Sequence, residues 1–223
     1  RLRAYAPEAP FSGDQDIAEY QDIAPGGYAA MYGPVFDGGF DVPAVPVQKM
    51  DKRFLRTVVP DPTGERPGTI VVDTRDKHLY LVQDGGRAIR YGIGVGRPGF
   101  TWSGVKSVTR KAEWPDWTPP PEMLKRRPDL PRHMEGGPEN PLGARAMYLG
   151  STVYRIHGTN QPSTIGKFVS SGCFGMLNED VTDLFERTKV GTRVVVLPGG
   201  KPPTPPVAFT WAVMSAMSKP LPL

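Results

Sequence analysis

The chain has 223 residues, a formal net charge of +4 and 39% hydrophobic residues, a composition typical of one sizeable globular domain with extensions. Its 26 glycines and 26 prolines exclude a bundle of long helices and favour strands joined by turns. The basic residues form loose groups without a dense stripe, so we expect no nucleic-acid binding. No run of about 18 apolar residues occurs, which excludes a membrane span.

The first 55 residues are rich in glycine, proline, alanine and aspartate and show no sustained apolar period. Such a composition predicts an extended, flexible N-terminal arm over residues 1–55, which either bridges the domain to a membrane anchor or wraps around it. Because the chain starts at Arg1 and not at methionine, we expect that a signal peptide has been removed.

Residues 56–200 are predicted to form the folded domain, and its pattern is mainly β. Alternating or β-branched segments predict strands at 69–73, 78–82, 88–93, 105–111, 146–149, 152–156 and 192–197. The turn at residues 84–86 joins the second and third of them as a hairpin. The arrangement favours a β-sandwich or barrel-like domain.

One helix is predicted after residue 177. Asn178 is a suitable N-cap residue, Val181, Leu184 and Phe185 share one apolar face, and Gly191 is expected to end the helix.

Two further segments lack a period. The insertion 112–140 contains a Trp-Pro-Asp-Trp motif and is a candidate lid over a groove, with a rigid surface loop as an equal alternative. The Pro-rich tail 201–223 is predicted to be a stiff spacer with an apolar end that packs on the domain or binds a partner.

Cys173 is the single cysteine, so an intrachain disulfide and a cysteine-rich zinc site are both excluded. With three histidines and no compact ligand pattern, we expect no metal and no other cofactor. A lone thiol is more often a buried apolar side chain than a nucleophile. Its neighbours decide between these alternatives.

His157 ends a predicted strand sixteen positions before Cys173, a loop length that can bring the two side chains together. An imidazole beside a thiol activates it as a nucleophile. Gly172 permits an unusual turn and close substrate approach, and its amide and that of Cys173 are expected to face a developing oxyanion. By spacing alone the Cys/His pair is suggestive only.

The combination of motifs is more specific. His157-Gly158, then Ser170-Ser171-Gly172-Cys173, then Asn178 resembles the signature of the YkuD-type L,D-transpeptidases, His-Gly followed by Ser-x-Gly-Cys and an Asn. The resemblance extends through segments 69–73, 79–81, 92–96 and 141–146, covers about residues 60–198, and is nearest to the proteobacterial envelope members of that family.

The resemblance implies a peptidoglycan L,D-transpeptidase of the periplasm or cell envelope, with a role in cell-wall biogenesis and cell shape. Cys173 would be the nucleophile and His157 its base, with Gly172 as an oxyanion donor. The carbonyl of Gly158 would hold the other ring nitrogen of His157. The expected partners are peptidoglycan stem peptides, with an outer-membrane protein as another acceptor and a carbapenem as covalent inhibitor.

Substrate contacts are assigned around the same motifs. The residues assigned to them are Ser170, Ser171, Asn160, Tyr154, Arg155 and, from the insertion, Trp117. The chain departs from the family at Gly175, where many members carry an arginine, and Arg155 or Arg145 is a candidate substitute. Two alternatives stay open: an L,D-carboxypeptidase or other hydrolase on the same fold, and a peptidoglycan-binding module with impaired catalysis.

Overall fold

The computed structural model describes residues 27–199 and is organised around one nine-stranded sheet. Thirteen strands are present in this range: β1 (Val35–Asp37), β2 (Phe40–Val42), β3 (Thr57–Pro60), β4 (Ile70–Asp73), β5 (His78–Val82), β6 (Arg87–Gly92), β7 (Val95–Gly96), β8 (Gly104–Glu113), β9 (Arg145–Leu149), β10 (Arg155–His157), β11 (Phe168–Ser170), β12 (Phe174–Gly175) and β13 (Arg193–Val196). The helices are α1 (Gly27–Met31), α2 (Pro121–Arg126) and α3 (Asn178–Arg187), with 3-10 turns at Val47–Lys49, Lys52–Phe54, Asp84–Gly86 and Pro162–Thr164. None of these helices is long and apolar enough to cross a membrane.

The strand order of the main sheet is β12-β10-β9-β8-β13-β4-β5-β6-β3. Its pairs are antiparallel except β13 with β4 and β10 with β12, which are parallel. The long strand β8 belongs to both halves of the sheet and has an irregular register between Val108 and Arg110, where a bulge increases the bend. β1 pairs with β2, and β7 with β11, in two small separate sheets.

The main core lies between the two halves of the sheet and helix α3. It combines side chains of the hairpin β5–β6, of β9 and β10, and of the helix in one buried cluster. Val181 and Leu184 are fully buried, as their spacing predicts. The mainly β fold with a short helix after Cys173 is therefore confirmed.

Three local predictions were wrong. Asn178 is the first residue of α3 and not its N-cap, since its side-chain oxygen accepts the amide of Ala144 at 2.9 Å. The helix ends at Arg187, before Gly191. The strand predicted at 152–156 begins only at Arg155, because the Thr152 hydroxyl donates to the Leu149 carbonyl and closes a turn there.

The described part of the N-terminal arm differs from the extended chain expected for residues 1–55. Residues 27–55 include α1, the β1–β2 hairpin and two 3-10 turns, and they pack on the domain. Tyr32 is 1% exposed, and its hydroxyl donates to the buried carboxylate of Asp180 at 3.0 Å and accepts the amide of Arg56 at 2.8 Å. The rest of the expected arm lies outside the described residues, as does the tail 201–223.

We expect Tyr32→Phe to lower the free energy of unfolding by about 1–3 kcal/mol, because Asp180 and the Arg56 amide each lose a partner in a dry environment. Urea unfolding followed by circular dichroism measures this change. A loss below about 0.5 kcal/mol, the usual scale of a surface substitution, would mean that the hydroxyl does not hold the arm on the domain.

The insertion 112–140 is tied together at its base. Trp117 and Met134 exchange backbone hydrogen bonds of 2.8 Å in each direction. The amide nitrogen of Asn140, a buried side chain, donates to the carbonyls of Pro115, Met134 and Glu135. The role of the insertion as a lid stays a prediction.

Candidate active site

His157 ends one strand at an end of the main sheet, and Cys173 directly precedes the neighbouring parallel strand. β10 and β12 pair Ile156 with Phe174 and His157 with Gly175, so Cys173 lies just before β12, level with Arg155. A side chain alternates faces along a strand, so Cys173, Gly175, Arg155 and His157 share the face opposite the core. The thiol is partly exposed, and its sulfur lies 3.9 Å from the Val153 carbonyl.

The imidazole of His157 is oriented by the next residue. Its Nδ1 atom lies 2.5 Å from the carbonyl oxygen of Gly158. A carbonyl only accepts hydrogen bonds, so this contact requires a proton on Nδ1 and leaves the lone pair on Nε2. The His157 carbonyl in turn accepts the amide of Met176 at 2.8 Å, which fixes the strand next to the Cys173 segment.

Burial keeps both groups of the pair uncharged. It lowers the pKa of His157 to about 4, against the hydrogen bond to Gly158 and with the help of the Arg155 charge. Burial raises the pKa of the Cys173 thiol, against a hydrogen bond and the positive charge from Arg155. At neutral pH the resting groups are therefore a thiol and a neutral imidazole, which is the protonation state that a general base requires.

A pH profile tests this protonation state. We expect the rate of Cys173 acylation to show no inflection near the ordinary histidine pKa of about 6.5, because His157 stays neutral down to a pH near 4. The rate should fall only when the pH drops through that value and the base becomes protonated. Stopped-flow acylation by a β-lactam across the pH range measures it, and an acidic limb centred near 6.5 would contradict it.

The turn before the nucleophile is built around Ser170 and Gly172. The Ser170 hydroxyl donates to the Cys173 carbonyl at 2.6 Å and accepts the Gly172 amide at 3.2 Å. Gly172 has φ +115°, and a side chain there would meet the Tyr154 ring at 2.5 Å. The Gly172 amide is thus engaged within the turn, so the amide of Cys173 is the better candidate oxyanion donor of the two expected.

An aromatic support lies under this turn. Trp102 stacks on Tyr154 with ring centroids 4.7 Å apart, and its indole N–H donates to the Gly172 carbonyl at 2.8 Å. Tyr154, assigned from sequence to substrate binding, therefore supports the turn that precedes Cys173. Trp102 was missed by the sequence analysis, since a tryptophan seventy positions upstream carries no local signal.

Several other assigned residues line one cavity of about 370 Å³ beside the pair. Its wall includes His157, Gly175, Ser170, Asn160 and Trp117. Asn160 also donates its side-chain amide to the Glu139 carbonyl at 2.9 Å, which joins the catalytic strand end to the insertion. The structure therefore brings Trp117 next to the strand end that carries His157.

Two assignments lie apart from that wall. The Ser171 hydroxyl is 3.3 Å from a guanidinium nitrogen of Arg97 on the outer rim. Arg145 cannot replace the arginine that Gly175 lacks, because it is buried and paired with Asp37 through bonds of 2.7 and 2.8 Å. Of the two candidate substitutes, Arg155 alone faces the pair.

Gly158 is held by tight packing that the sequence analysis did not foresee. A Cβ atom there would lie 2.3 Å from the Asn178 side-chain oxygen and 3.0 Å from the Ala144 amide. A Cβ atom added at Gly143, which has φ +63°, would lie equally close to the same oxygen. The Asn178 side chain therefore packs directly against both glycines, next to the residue whose carbonyl orients His157.

The comparisons with known proteins show the family of this chain. The model of the L,D-transpeptidase catalytic domain, YkuD, matches residues 67–196. This chain belongs to that family.

Individual relatives show the same likeness. A probable L,D-transpeptidase ErfK/SrfK of Escherichia coli K12 is 39% identical over 137 residues, which are 57% of this chain and 43% of that protein. A solved chain from Brucella melitensis, described as a probable carnitine operon oxidoreductase, is 48% identical over 68% of this chain and 99% of that one, with a TM-score of 0.45. An Enterococcus faecium L,D-transpeptidase structure is 24% identical over 59% of this chain and 50% of that one, with a TM-score of 0.47. The chain spans about half the length of curated relatives such as the first.

Proposed function

We propose that this protein is a peptidoglycan L,D-transpeptidase that acts through a thioester on Cys173. The observation that carries the proposal is the pairing of β10 with β12, which puts Cys173 next to the strand that ends at His157, whose Nδ1 is fixed by the Gly158 carbonyl. This arrangement supplies a nucleophile, a base and a group that orients the base, the three parts required for acyl transfer through a covalent intermediate. Membership of the family supplies the substrate class.

The first half-reaction releases D-alanine. The Cys173 sulfur attacks the carbonyl that joins the L-centre of diaminopimelate to the terminal D-alanine of a tetrapeptide stem, and His157 Nε2 takes the thiol proton. The amide of Cys173 faces the oxyanion of the tetrahedral intermediate. The intermediate collapses as the carbon–nitrogen bond breaks, and His157 returns the proton to the amine of the leaving D-alanine.

The second half-reaction transfers the acyl group. An amine gives a proton to His157 and attacks the thioester, and the sulfur leaves and is reprotonated. The side-chain amine of a second stem gives a 3–3 crosslink, and an amine of an outer-membrane protein gives attachment of that protein. Water in its place gives the carboxypeptidase reaction. Because the donor is cell-wall peptide, the site of action is the periplasm.

Purified sacculi with tetrapeptide stems provide the test. Incubation with the enzyme, muramidase digestion and mass spectrometry are expected to show D-alanine release together with dimers that carry a 3–3 link. Shortened monomers without dimers would assign the hydrolase instead. No change in the muropeptides, with no carbapenem adduct on the protein, would leave only a binding module.

A further inference from the structure

A row of cationic and aromatic side chains leads across the sheet from the nucleophile. On β8, β9 and β10, Arg110 pairs with Tyr148 and Tyr148 with Arg155, and Arg155 lies level with Cys173 in the next strand. These positions share the sheet face that carries Cys173. We call Arg110, Tyr148 and Arg155 the cationic row.

Both guanidinium groups of the row lie against one ring. The guanidinium carbon of Arg110 is 4.9 Å and that of Arg155 is 5.2 Å from the Tyr148 ring centre. Neither arginine forms an ion pair with a carboxylate within residues 27–199. The Nε of Arg155 is buried without a hydrogen-bond partner in the same range.

Such an arrangement is costly for the protein alone. Two like charges held at one ring repel each other, and a buried guanidinium N–H without an acceptor costs free energy. An anion on the row removes the repulsion, and a carboxylate fits a guanidinium through two parallel hydrogen bonds.

The row is continuous with the reaction site. The Arg155 charge acts on both members of the catalytic pair, since it lowers the pKa of Cys173 and of His157. Three strand intervals separate Cys173 from Arg110, about 14 Å in all, the length of roughly four extended residues. A peptide bound to Cys173 can therefore follow the row across the sheet.

The direction of the peptide follows from the position of the base. His157 must lie beside the leaving amine to protonate it, and the cavity of about 370 Å³ lies on the His157 side, two residues further along the strands. The leaving D-alanine therefore belongs on the cavity side. The acyl part of the donor, with the carboxylates of its D-glutamate and diaminopimelate residues, is left for the row.

We propose that the cationic row is a subsite for the carboxylates on the acyl part of the donor peptide, with Arg155 nearest the scissile bond and Arg110 further along. This inference rests on the proposed transpeptidase function. The row would make the enzyme selective for free acids over amidated stems, because an amide presents only one acceptor oxygen and carries no charge.

Two donor peptides and two variants test the proposal. The donors are a tetrapeptide stem with free carboxylates and the same stem amidated at D-glutamate and at the diaminopimelate side chain, and D-alanine release is measured for each. Arg110→Gln is expected to raise KM for the acidic donor about tenfold, the effect of one charge-assisted hydrogen bond, with KM for the amidated donor unchanged. Lys106→Gln, which removes a positive charge from the same strand beyond the bulge, is the matched control and is expected to change neither value.

The outcomes separate the two proposals. If Arg110→Gln still releases D-alanine and has the same KM for the acidic donor as the parent enzyme, the subsite is overturned. The transpeptidase assignment then stays intact. A similar rise in KM for both donors would also overturn the subsite, because a structural disturbance weakens the binding of both donors regardless of their charge. If the parent enzyme releases no D-alanine and forms no β-lactam adduct, the transpeptidase assignment itself fails.

Discussion

Replacing Cys173 with alanine is expected to abolish acylation and to lower D-alanine release by about 10⁴-fold or more, the scale on which enzymes lose rate when a covalent nucleophile is removed. Cys173 is the single cysteine of the chain, so no other thiol can take over. Intact mass after incubation with a carbapenem measures the result directly. The parent protein should gain one inhibitor mass, and Cys173→Ala should gain none.

Cys173→Ser provides the matched control for this experiment. The serine hydroxyl is nearly the size of the thiol, so the turn formed by Ser170, Gly172 and residue 173 should persist and the melting temperature should remain close to that of the parent. A serine at a site built for a thiol should still react much more slowly, because its proton is harder to remove. An adduct that survives on Cys173→Ala would show that the carbapenem binds elsewhere and would overturn the assignment of the nucleophile.

Cys173 and His157 could be proposed from sequence as the reacting pair because each residue carries its own local signal. His157 is followed by glycine at a strand end, and Cys173 is preceded by a Ser-Ser-Gly turn and followed by a helix with one apolar face. The period-2 and period-3.6 patterns likewise indicate the central strands and α3, since the core selects side chains at those intervals. Local rules therefore reach the fold class, whereas the choice of Cys173 and His157 as the reacting pair needs the combined family motif and stays a prediction.

The surroundings of the pair could not be predicted, because they depend on contacts between distant segments. Asn178 has the features of a helix cap, yet its side chain bonds to Ala144, thirty-four positions away. Tyr32 lies in a segment without a sustained apolar period, yet its hydroxyl reaches the Asp180 carboxylate across 148 positions. Hydrogen bonds between residues so far apart in the sequence produce no periodic pattern from which they could be predicted.

Replacing Gly158 with alanine is expected to reduce the acylation rate about 10²-fold, the usual effect of displacing a catalytic group by about 1 Å. The backbone of Gly158 lies outside the left-handed region, so alanine is not excluded by its dihedral angles. The added Cβ would lie 2.3 Å from the Asn178 oxygen, which the Ala144 amide holds in place at 2.9 Å, so we expect residue 158 to move. Its carbonyl then releases Nδ1 of His157, and the imidazole loses its fixed orientation.

A double-mutant cycle separates this steric effect from a general loss of stability. Asn178→Ala alone removes the hydrogen bond to Ala144 and should cost about 1 kcal/mol of unfolding free energy. Adding it to Gly158→Ala removes the clashing oxygen, so the double variant should acylate faster than Gly158→Ala even though it has lost one more hydrogen bond. That reversal follows only if Asn178 and Gly158 compete for the same space. The alternative is that each substitution slows acylation independently, so that the rate reduction of the double variant is the product of the two single reductions. That result would mean that the packing of Asn178 against Gly158 does not control the orientation of His157.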